Sequence, residues 1–437
     1  MKRGFALGGA WVGLLVCGCD GNPATPASDR PDTAAIDATD ERADTALEVS
    51  PLDADDGPAL DVVDAWAPDG IDASVADAGP CATLNARALG TGWNHALAVL
   101  TDGSLRAWGA NGSGQLGVGD NTNRARATRV ENGASRWRTV AGGSRHSCGI
   151  REDGSLWCWG VNVHGQLGVG DTHDRAAPAR VGTESDWVEV TCGGLHSCGI
   201  RAGGLLWCWG ANPAGQLGLG AQTGDRTSPQ RVGTETGWRG LAAKARFNCA
   251  LRPDESLWCW GDNSDGQLGQ GDTDDRRSPV RVGAGMRWTQ ARMGPLHNCA
   301  ITVAGELYCW GLNDFGQLGT GDRVGSRVPR RVGTDTDWRL VSGGFEHTCG
   351  LRAEGTLWCW GNAEVGQLGL PGDAVRVSPE RVASMRAVRD VVTGQGHTCA
   401  LDDAGGVRCW GDNTSGQAGV DDGSPQRRTP GGVCAAP

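Results

Sequence analysis

Residues 159–171 have the sequence WGVNVHGQLGVGD, and variants of this stretch recur along the whole second part of the chain. Six copies contain Gly-Gln-Leu-Gly and a seventh contains Gly-Gln-Ala-Gly, at successive spacings of 51, 50, 51, 50, 50 and 50 residues. A Trp-Gly pair precedes each copy by six residues. Self-similarity at a fixed period is the signature of a repeat architecture, so we expect seven structural units. The tetrapeptides begin at Gly114, Gly165, Gly215, Gly266, Gly316, Gly366 and Gly416.

Each unit consists of short segments separated by glycine turns. In the second unit, residues 137–140 are followed by a Gly-Gly pair, the segment 146–151, a Glu-Asp-Gly turn and the segment 155–160. Such segments are typical of β-strands, and a repeat of about 50 residues has the size of a propeller blade. The sequence therefore predicts an all-β fold, a seven-bladed β-propeller of four-stranded blades that strands from the N- and C-termini close.

Twelve of the 17 cysteines form six pairs with a constant separation of ten residues. If a three-residue loop such as 152–154 joins two strands, Cys148 lies directly opposite Cys158; the third residue of such a loop is usually a left-handed glycine, with Glu255 as the exception here. We expect six cross-strand disulfides, each contributing roughly 2 to 3 kcal/mol. Zinc sites are the alternative, but the CxxC spacing is absent. The pairs are Cys148–Cys158, Cys198–Cys208, Cys249–Cys259, Cys299–Cys309, Cys349–Cys359 and Cys399–Cys409.

Three further cysteines lie in or beside the repeats. Cys81 and Cys434 bracket the repeats and fall on neighbouring positions when the repeat alignment is carried round the ring. We expect a Cys81–Cys434 disulfide that locks the closure. Cys192 stands where other units have Ala or Ser, which predicts a small buried thiol.

The first 80 residues have a different character. Lys2 and Arg3 precede a short apolar run that ends in Val-Cys-Gly-Cys, which resembles the lipobox of bacterial lipoproteins and would make Cys19 the lipidated first residue. An ordinary signal peptide that is cut elsewhere is the alternative. Residues 20–80 contain sixteen Asp or Glu and two Arg, so they cannot bury enough apolar surface to fold and are predicted to form a disordered tether. An acidic tail that binds cations or basic partners is the alternative.

This division predicts a signal peptide over 1–18, a tether over 19–80 and the propeller over 81–437. The location would be the bacterial cell envelope, outside the cytoplasm, at the outer membrane or cell surface rather than the inner membrane, with the lipid as the only membrane contact. The net charge of −11 resides in the tether, because residues 81–437 carry 36 Lys or Arg against 35 Asp or Glu. No basic face of the kind that nucleic acid requires is indicated.

The repeat resembles that of a known family. The Trp-Gly-x-Asn-x-x-Gly-Gln-Leu-Gly-x-Gly-Asp pattern, with Pro-x-Arg-Val at 178–181 and Gly-Gly-x-x-His at 142–146, is similar to the repeat of the regulator of chromosome condensation family, over nearly all of residues 85–433. The resemblance implies a seven-bladed propeller. Nucleotide exchange on an intracellular GTPase is not carried over, because this chain has an export signal. A secreted bacterial propeller with a similar repeat that inhibits β-lactamase is the closer analogy.

Binding sites in repeat folds are expected where the units differ, because the shared positions maintain the fold. The residue before the histidine position varies from unit to unit, and the resemblance implies that this face is similar to the one with which the family engages its GTPase. The histidines themselves recur, which favours structural hydrogen bonding; a ring that binds a metal or an anion is the alternative. The varying residues are Arg145, Leu195, Arg246, Leu296, Glu346 and Gly396. The recurring histidines are His95, His146, His196, His297, His347 and His397, with Phe247 in the fourth unit.

The sequence contains no phosphate-binding loop, HExxH or GxSxG motif, and its Gly-Asp loops do not have the ligand spacing of calcium loops. We therefore predict no catalytic residue, cofactor or metal. The expected function is non-enzymatic binding of an extracytoplasmic protein by a monomer, as a scaffold or an inhibitor-like module. A structural, adhesive or glycan-binding role is the alternative, and an enzyme acting at the propeller channel is the third hypothesis.

Overall fold

The computed structural model describes residues 83–130 and 136–436. The chain divides into two compact units, 1–65 and 66–437, and every described residue belongs to the second. The predicted signal peptide, the whole of the acidic tether, Cys19 and Cys81 lie outside the described residues. None of the described residues forms a helix that is long and apolar enough to cross a membrane.

The described residues form twenty-eight strands in seven blades, numbered 1 to 7 in chain order. Blade 1 contains β1 (Ala86–Thr91), β2 (His95–Leu100), β3 (Leu105–Gly109) and β4 (Arg124–Arg129). Blade 2 contains β5 (Trp137–Gly142), β6 (His146–Arg151), β7 (Leu156–Gly160) and β8 (Arg175–Arg180). Blade 3 contains β9 (Trp187–Cys192), β10 (His196–Arg201), β11 (Leu205–Gly210) and β12 (Arg226–Arg231). Blade 4 contains β13 (Arg239–Lys244), β14 (Phe247–Leu251), β15 (Leu257–Gly261) and β16 (Arg276–Val282). Blade 5 contains β17 (Trp288–Met293), β18 (His297–Thr302), β19 (Leu307–Gly311) and β20 (Ser326–Arg331). Blade 6 contains β21 (Trp338–Gly343), β22 (His347–Arg352), β23 (Leu357–Gly361) and β24 (Arg376–Arg381). Blade 7 contains β25 (Val388–Thr393), β26 (His397–Asp402), β27 (Val407–Asp412) and β28 (Gln426–Gly432).

Each blade is an antiparallel sheet whose four strands lie side by side in chain order. The first strands of neighbouring blades contact one another, and β1 contacts both β5 and β25. The first strands therefore surround the central channel, and the fourth strands form the outer edge. The predicted seven-bladed all-β propeller is confirmed.

The strand register agrees with the sequence prediction at the cysteines. Cys148 pairs with Cys158 across β6 and β7, with Cα atoms 4.1 Å apart, and Gly149 pairs with Trp157. All six predicted cross-strand disulfides are present in the structure. At the loop that lacks glycine, Glu255 adopts the left-handed conformation with φ of 63°. The loop geometry is therefore kept even where the residue does not favour it.

The chain ends meet at blade 7. The four strands of this blade all come from the C-terminal part of the chain, and the N-terminal end adds isolated bridges from Thr83 to Cys434 and from Asn85 to Gly406. Cys434 is disulfide-bonded. Its predicted partner, Cys81, is outside the described residues, so the Cys81–Cys434 pair stays a prediction. Cys192 is a free thiol that is 2% exposed, as its substitution for Ala or Ser predicts.

The core of the propeller lies in the seams between blades. In the seam between blades 1 and 2, Trp137 and Trp159 of blade 2 pack on Leu97, Val99 and Leu105 of blade 1. The rings of Trp137 and Trp159 meet edge to face, with centroids 5.6 Å apart. This arrangement buries large aromatic area and adds a favourable ring contact. The tryptophans therefore pack between blades.

A tryptophan and a glutamine carbonyl link every pair of adjacent blades. The buried Trp159 indole N–H donates to the main-chain oxygen of Gln115, in the Gly-Gln-Leu-Gly loop of the preceding blade, at 2.9 Å. A Cβ at Gly117 of the same loop would lie 2.7 Å from that indole, so the loop requires glycine there. We call this contact the Trp–Gln clasp. The seven clasps are Trp108–Gln417, Trp159–Gln115, Trp209–Gln166, Trp260–Gln216, Trp310–Gln267, Trp360–Gln317 and Trp410–Gln367.

Candidate functional site

The propeller has two faces. On one of them, the turn between the first and second strands of each blade lies beside the loop between the third and fourth strands; Val161 N–H, at the start of such a loop, donates to the Arg145 carbonyl at 2.9 Å. We call this side the Gly-Gly face, after the turn. The other side, the hairpin face, carries the loops between second and third strands, such as 152–154, and the connections between blades. The tips of the loops between third and fourth strands, such as Val163 and His164 in blade 2, also differ from unit to unit and therefore lie on the Gly-Gly face.

The varying residues before the histidines lie at the channel mouth on the Gly-Gly face, because the first strands that surround the channel end there. Arg145 is exposed, and the other five are partly exposed. The Asn362 side chain donates to the Glu346 carboxylate at 2.7 Å, so turn and loop are joined by side chains as well as by the backbone. The structure thus brings these candidates together in one ring.

The six histidines do not belong to this surface. All of them are fully buried. Their inclusion in the candidate binding face is corrected by this burial: each ring lies against the Gly-Gly turn of its own blade, where a Cβ on Gly92 would come within 2.0 Å of the His95 ring. Structural hydrogen bonding, the role that the sequence favoured for the histidines, is observed for five of the six.

The histidines extend the Trp–Gln clasp. His95 Nε2 is 2.8 Å from the Oγ of Ser147 in the next blade, and Ser147 donates its hydroxyl hydrogen to the Gln115 carbonyl, also at 2.8 Å. Because that hydrogen is already used, His95 donates from Nε2 and is the Nε2-protonated neutral tautomer. His146, His196, His297 and His347 make equivalent bonds to Ser197, Asn248, Thr348 and Thr398.

Burial keeps the histidines neutral. It lowers the pKa of His95, His146, His297, His347 and His397 from 6.5 to about 3, and that of His196 to about 4. A neutral, buried and hydrogen-bonded imidazole is a structural group. Among the described residues, no three His, Cys, Asp or Glu side chains are grouped so that they could hold a metal ion.

His397 differs from the other histidines, because neither of its ring nitrogens has a hydrogen-bond partner among the described residues. Its neighbour across the seam between blades 7 and 1 is Ala96, which occupies the position of Ser147. The same blade 1 has Leu97 opposite Ala107 where later blades have a disulfide. The seam at which the ring closes therefore lacks the hydroxyl but keeps the Cys399–Cys409 disulfide of blade 7, whereas Leu97 and Ala107 pack in the seam between blades 1 and 2.

An aromatic pair at the channel mouth was missed by the sequence analysis. Trp93 of blade 1 and Phe345 of blade 6 are partly exposed, and their rings meet edge to face with centroids 6.4 Å apart. Gln395 of blade 7 joins them, because its N–H donates to the Trp93 carbonyl at 2.8 Å and its own carbonyl accepts from Phe345 N–H at 3.3 Å. These residues lie two positions before the histidine, and this position also differs from unit to unit. The expectation that binding residues lie where units differ, which selected Arg145, therefore applies to this position as well.

Lys244 crosses the channel below this mouth. It stands three residues before the histidine position, where the other six blades have glycine, and its Nζ donates to the Thr393 carbonyl of blade 7 at 3.2 Å. Burial lowers the pKa of Lys244 from 10.5 to about 8. Blade 4 accepts a side chain here because Lys244 pairs with Phe247 across a tighter turn, in which Ala245 has a φ of 39°.

The charge on the Gly-Gly face is divided. Arg145 and Arg246 lie on blades 2 and 4, whereas the loop tips of blades 4 and 5 carry Asp262, Asp265 and Asp314. Burial raises the pKa of Asp265, and the neighbouring carboxylates Asp262 and Asp314 raise it further. The face therefore carries Arg145 on blade 2 and, on blades 4 and 5, an arginine together with three carboxylates.

Comparison with known proteins places the chain. The regulator of chromosome condensation (RCC1) repeat matches residues 102–150, 153–200, 203–251, 254–301, 304–351 and 354–401. The chain belongs to the regulator of chromosome condensation repeat family. A second description of the same repeat matches seven segments, the first at 87–115 and the last at 388–417, in agreement with the seven blades.

The similarity to individual members of the family is partial. The chain is 36% identical over 99 residues to the ultraviolet-B receptor UVR8 of Arabidopsis thaliana, which is 22% of each protein. It is 40% identical over 90 residues to human Protein RCC2, which is 20% of this chain and 17% of that one. The chain thus spans about a fifth of the length of each of these two relatives.

Solved structures share the fold over most of the chain. Human WBSCR16 has a TM-score of 0.66 and 22% identity, covering 73% of this chain and 88% of that one. Yeast RCC1 (Prp20), in a structure with Kap60, has a TM-score of 0.68 and 20% identity, covering 82% and 90%. At these identities the likeness establishes the shared propeller fold.

The closing seam gives a first prediction. Replacing Ala96 by Ser supplies the hydroxyl that His397 lacks, and we expect the free energy of unfolding in urea, with the disulfides oxidised, to rise by about 1 kcal/mol. The matched control is Ser147→Ala, which removes the partner of His95 and should lower that free energy by a similar amount. An Ala96→Ser protein that is no more stable than the parent would contradict this account of the seam.

The histidines give a second prediction, for acid stability. Their pKa is lower in the folded than in the unfolded chain, so between pH 6.5 and about 3 the unfolded chain binds more protons. Stability is complete above pH 6.5 and is lost as the pH falls toward 3, by up to about 1.4 kcal/mol per pH unit for each histidine. We expect the melting temperature to fall steadily from pH 6.5 to 5, before the carboxylates titrate. An unchanged melting temperature over that interval would show that the histidines are not buried in the neutral form.

Proposed function

We propose that this chain is a non-catalytic protein-recognition propeller of the bacterial cell envelope. It is held to a membrane by a lipid on Cys19 and binds an extracytoplasmic protein with the Gly-Gly face. The observation that carries the proposal is the Trp93–Phe345 pair at the channel mouth, an aromatic contact at the centre of a ring of residues that differ from blade to blade.

The composition of this centre supports protein as the class of ligand. Aromatic residues and arginine are enriched in the energetically dominant part of protein interfaces, and such residues cluster near the interface centre. Here Trp93 and Phe345 lie at the centre and Arg145 lies exposed beside them. Leu195 and Leu296 add partly exposed apolar surface on blades 3 and 5.

Solved relatives support the same class of ligand. Yeast RCC1 (Prp20) has been solved bound to Kap60, and a structure of Prp20p, of TM-score 0.63 to this chain, was described together with its binding properties to Gsp1p and histones. A propeller of this fold thus serves as a protein-binding surface.

The chemistry of the repeated positions supports a non-catalytic role. A catalytic centre needs different groups in different places, whereas the histidines recur in six blades and are buried as neutral hydrogen-bonding groups. The cysteines that recur are paired in disulfides. The residues that could do chemistry by type are therefore structural: the histidines bond to the next blade, and the disulfides join two strands of one blade.

The disulfides support an extracytoplasmic location. Structural disulfides persist in oxidising compartments and are rare in the cytosol, and this propeller has one in each of blades 2 to 7. The chain enters the propeller on the hairpin face, because Asn85 is bridged to Gly406 in a hairpin loop. The Gly-Gly face is the opposite face of the propeller.

The binding proposal is tested by quantitative affinity capture with the full-length protein from native envelope. We expect Trp93→Ala with Phe345→Ala to reduce the recovery of the captured partner at least tenfold, because loss of central aromatic residues commonly costs 2 kcal/mol or more, on the order of a 30-fold loss in affinity. The matched control is Val303→Ser, an apolar residue on the hairpin face that is 46% exposed. If the aromatic variant recovers as much partner as the wild-type protein, or if only the Val303→Ser control loses recovery, the Gly-Gly face is not the binding face.

The anchoring proposal has a separate test. In detergent phase separation, we expect the mature wild-type protein in the detergent phase and Cys19→Ser in the aqueous phase, because the acyl chains on Cys19 are the proposed membrane contact. Intact-mass measurement of the mature N-terminus is the second readout. A wild-type protein that partitions into water with an unmodified N-terminus would refute the anchor and leave the binding face untouched.

A further inference from the structure

Lys244 is a largely buried cation that forms no ion pair with a described residue. Its ammonium group has three N–H donors, and it uses one of them on the Thr393 carbonyl at 3.2 Å. Burial lowers the pKa of Lys244 to about 8, so the group is charged at neutral pH. Buried charges in proteins are normally paired, and a neutral carbonyl accounts for only one of the three donors.

The groups closest to Lys244 in its electrostatic surroundings do not neutralise it. Arg292, on β17 of the next blade, is exposed, and its positive charge lowers the pKa of Lys244 further. Burial raises the pKa of the Cys192 thiol to about 12, so this neighbour is uncharged. The buried histidines of blades 1, 6 and 7 are neutral as well. This end of the channel therefore carries two cations.

The carboxylates of the channel lie farther toward the hairpin face. Glu189 accepts from two backbone N–H groups of β13, at 3.1 and 2.9 Å, that are four and three residues before Lys244. Asp390 is three residues before Thr393 in β25, and Arg292 lowers its pKa against the stronger effect of burial. At about 3.3 Å per residue, both levels are roughly 10 Å or more along the strands from the lysine and the carbonyl that it binds. Neither carboxylate serves as the counter-ion of the ammonium.

Hydrogen bonds place the ammonium below the aromatic pair at the mouth. The Thr393 carbonyl that accepts from Lys244 also accepts from the Thr91 hydroxyl at 3.0 Å. Thr91 stands two residues before Trp93. Thr393 likewise stands two residues before Gln395, whose backbone bonds to both aromatic residues. Two residues span at most about 7 Å, so the aromatic rim and the cation lie within the reach of a single side chain.

A hydroxyl adds a free donor beside the lysine. Thr191 Oγ1 accepts from the N–H of Ala243, the residue before Lys244, at 3.1 Å. The hydroxyl hydrogen of Thr191 has no acceptor among the described residues. Free donors in a positive field, below an aromatic rim, match a carboxylate on a short apolar stem, because a carboxylate only accepts hydrogen bonds. Such a group is the side chain of aspartate or glutamate.

We propose that the channel around Lys244 is a carboxylate site, which takes an acidic side chain that the partner protein inserts through the mouth. The carboxylate accepts from Lys244 Nζ, and the apolar stem lies against Trp93 and Phe345. The source of the carboxylate rests on the function proposed above, whereas the site itself can be tested without the partner.

The site is tested on the full-length protein with N-acetyl-glutamate α-amide and its neutral isostere, N-acetyl-glutamine amide. Lys2 and Lys244 are the only lysines of the chain, so NMR of protein labelled with ¹³C in its lysines resolves Lys244, and Lys244→Gly assigns its signal. We expect the acidic compound to raise the pKa of Lys244 by about one unit, the shift that corresponds to a tenfold preference for the charged ammonium. The neutral isostere should leave that pKa unchanged.

Three variants are compared by ligand-observed NMR. Lys244→Gly restores the residue of the other six blades and should weaken the acidic compound about tenfold or more, because it removes the proposed partner of the carboxylate. Arg292→Gln should weaken it to a smaller extent, which keeps the test decisive if Lys244→Gly fails to fold. The matched control is Arg239→Gln, an exposed arginine at the hairpin-face end of the same strand β13, which should keep the wild-type affinity.

Two results overturn the carboxylate site: equal effects of both compounds on Lys244, or unchanged affinity in a folded Lys244→Gly protein. Affinity capture then tests the source, and Lys244→Gly should lower recovery of the partner as the aromatic variant does. If the aromatic variant loses the partner and Lys244→Gly does not, the binding face stands and the inserted acidic side chain is refuted. If the acidic compound binds and no protein is captured, the carboxylate site stands and a protein as its source is refuted.

Discussion

The propeller depends on the Trp–Gln clasp, a single hydrogen bond from a buried indole to a main-chain carbonyl of the preceding blade. It recurs in all seven seams, including the one that joins blade 1 to blade 7 through Trp108 and Gln417. An unpaired buried donor or acceptor costs about 1 to 3 kcal/mol, so each indole fixes the loop that it contacts. The two halves of the clasp are the Trp-Gly pair and the Gly-Gln-Leu-Gly loop, which explains why these strings recur most faithfully in the sequence.

The parts of the structure that depend on neighbours along the chain could be predicted from the sequence. Pairing within a hairpin is set by loop length, so the facing positions of Cys148 and Cys158 followed from a ten-residue separation. The parts that depend on blades far apart could not be predicted. The Trp93–Phe345 pair joins blades 1 and 6, and the Lys244–Thr393 bond joins blades 4 and 7. A repeat alignment gives the position of each residue within its blade but not the distance across the channel.

Recurrence itself proved informative about burial. The histidine position was compatible with an inner surface or with a seam, because both repeat sevenfold. The contact between His95 and Ser147 shows that the histidines lie in the seams. These two residues are 52 apart in the chain and occupy adjacent positions of the repeat. Departures from the repeat fall into two groups. Those at the channel mouth on the Gly-Gly face alter the exposed surface, and those in the two seams beside blade 7, Val388 of blade 7 and Ala96 of blade 1, alter the packing of those seams.

The clasp has a direction, because every blade gives its indole to the blade before it and, through histidine, most blades reach the blade after it. Each blade supplies an indole donor for the preceding blade and a main-chain carbonyl acceptor for the following blade, so it fits next to any other copy of the repeat. Tandem duplication of one whole repeat in the gene would therefore insert a module with both contacts already in phase, whereas a duplication of any fraction of a repeat would separate donor from acceptor. Propellers built on this contact can therefore lengthen or shorten in evolution only by complete repeats.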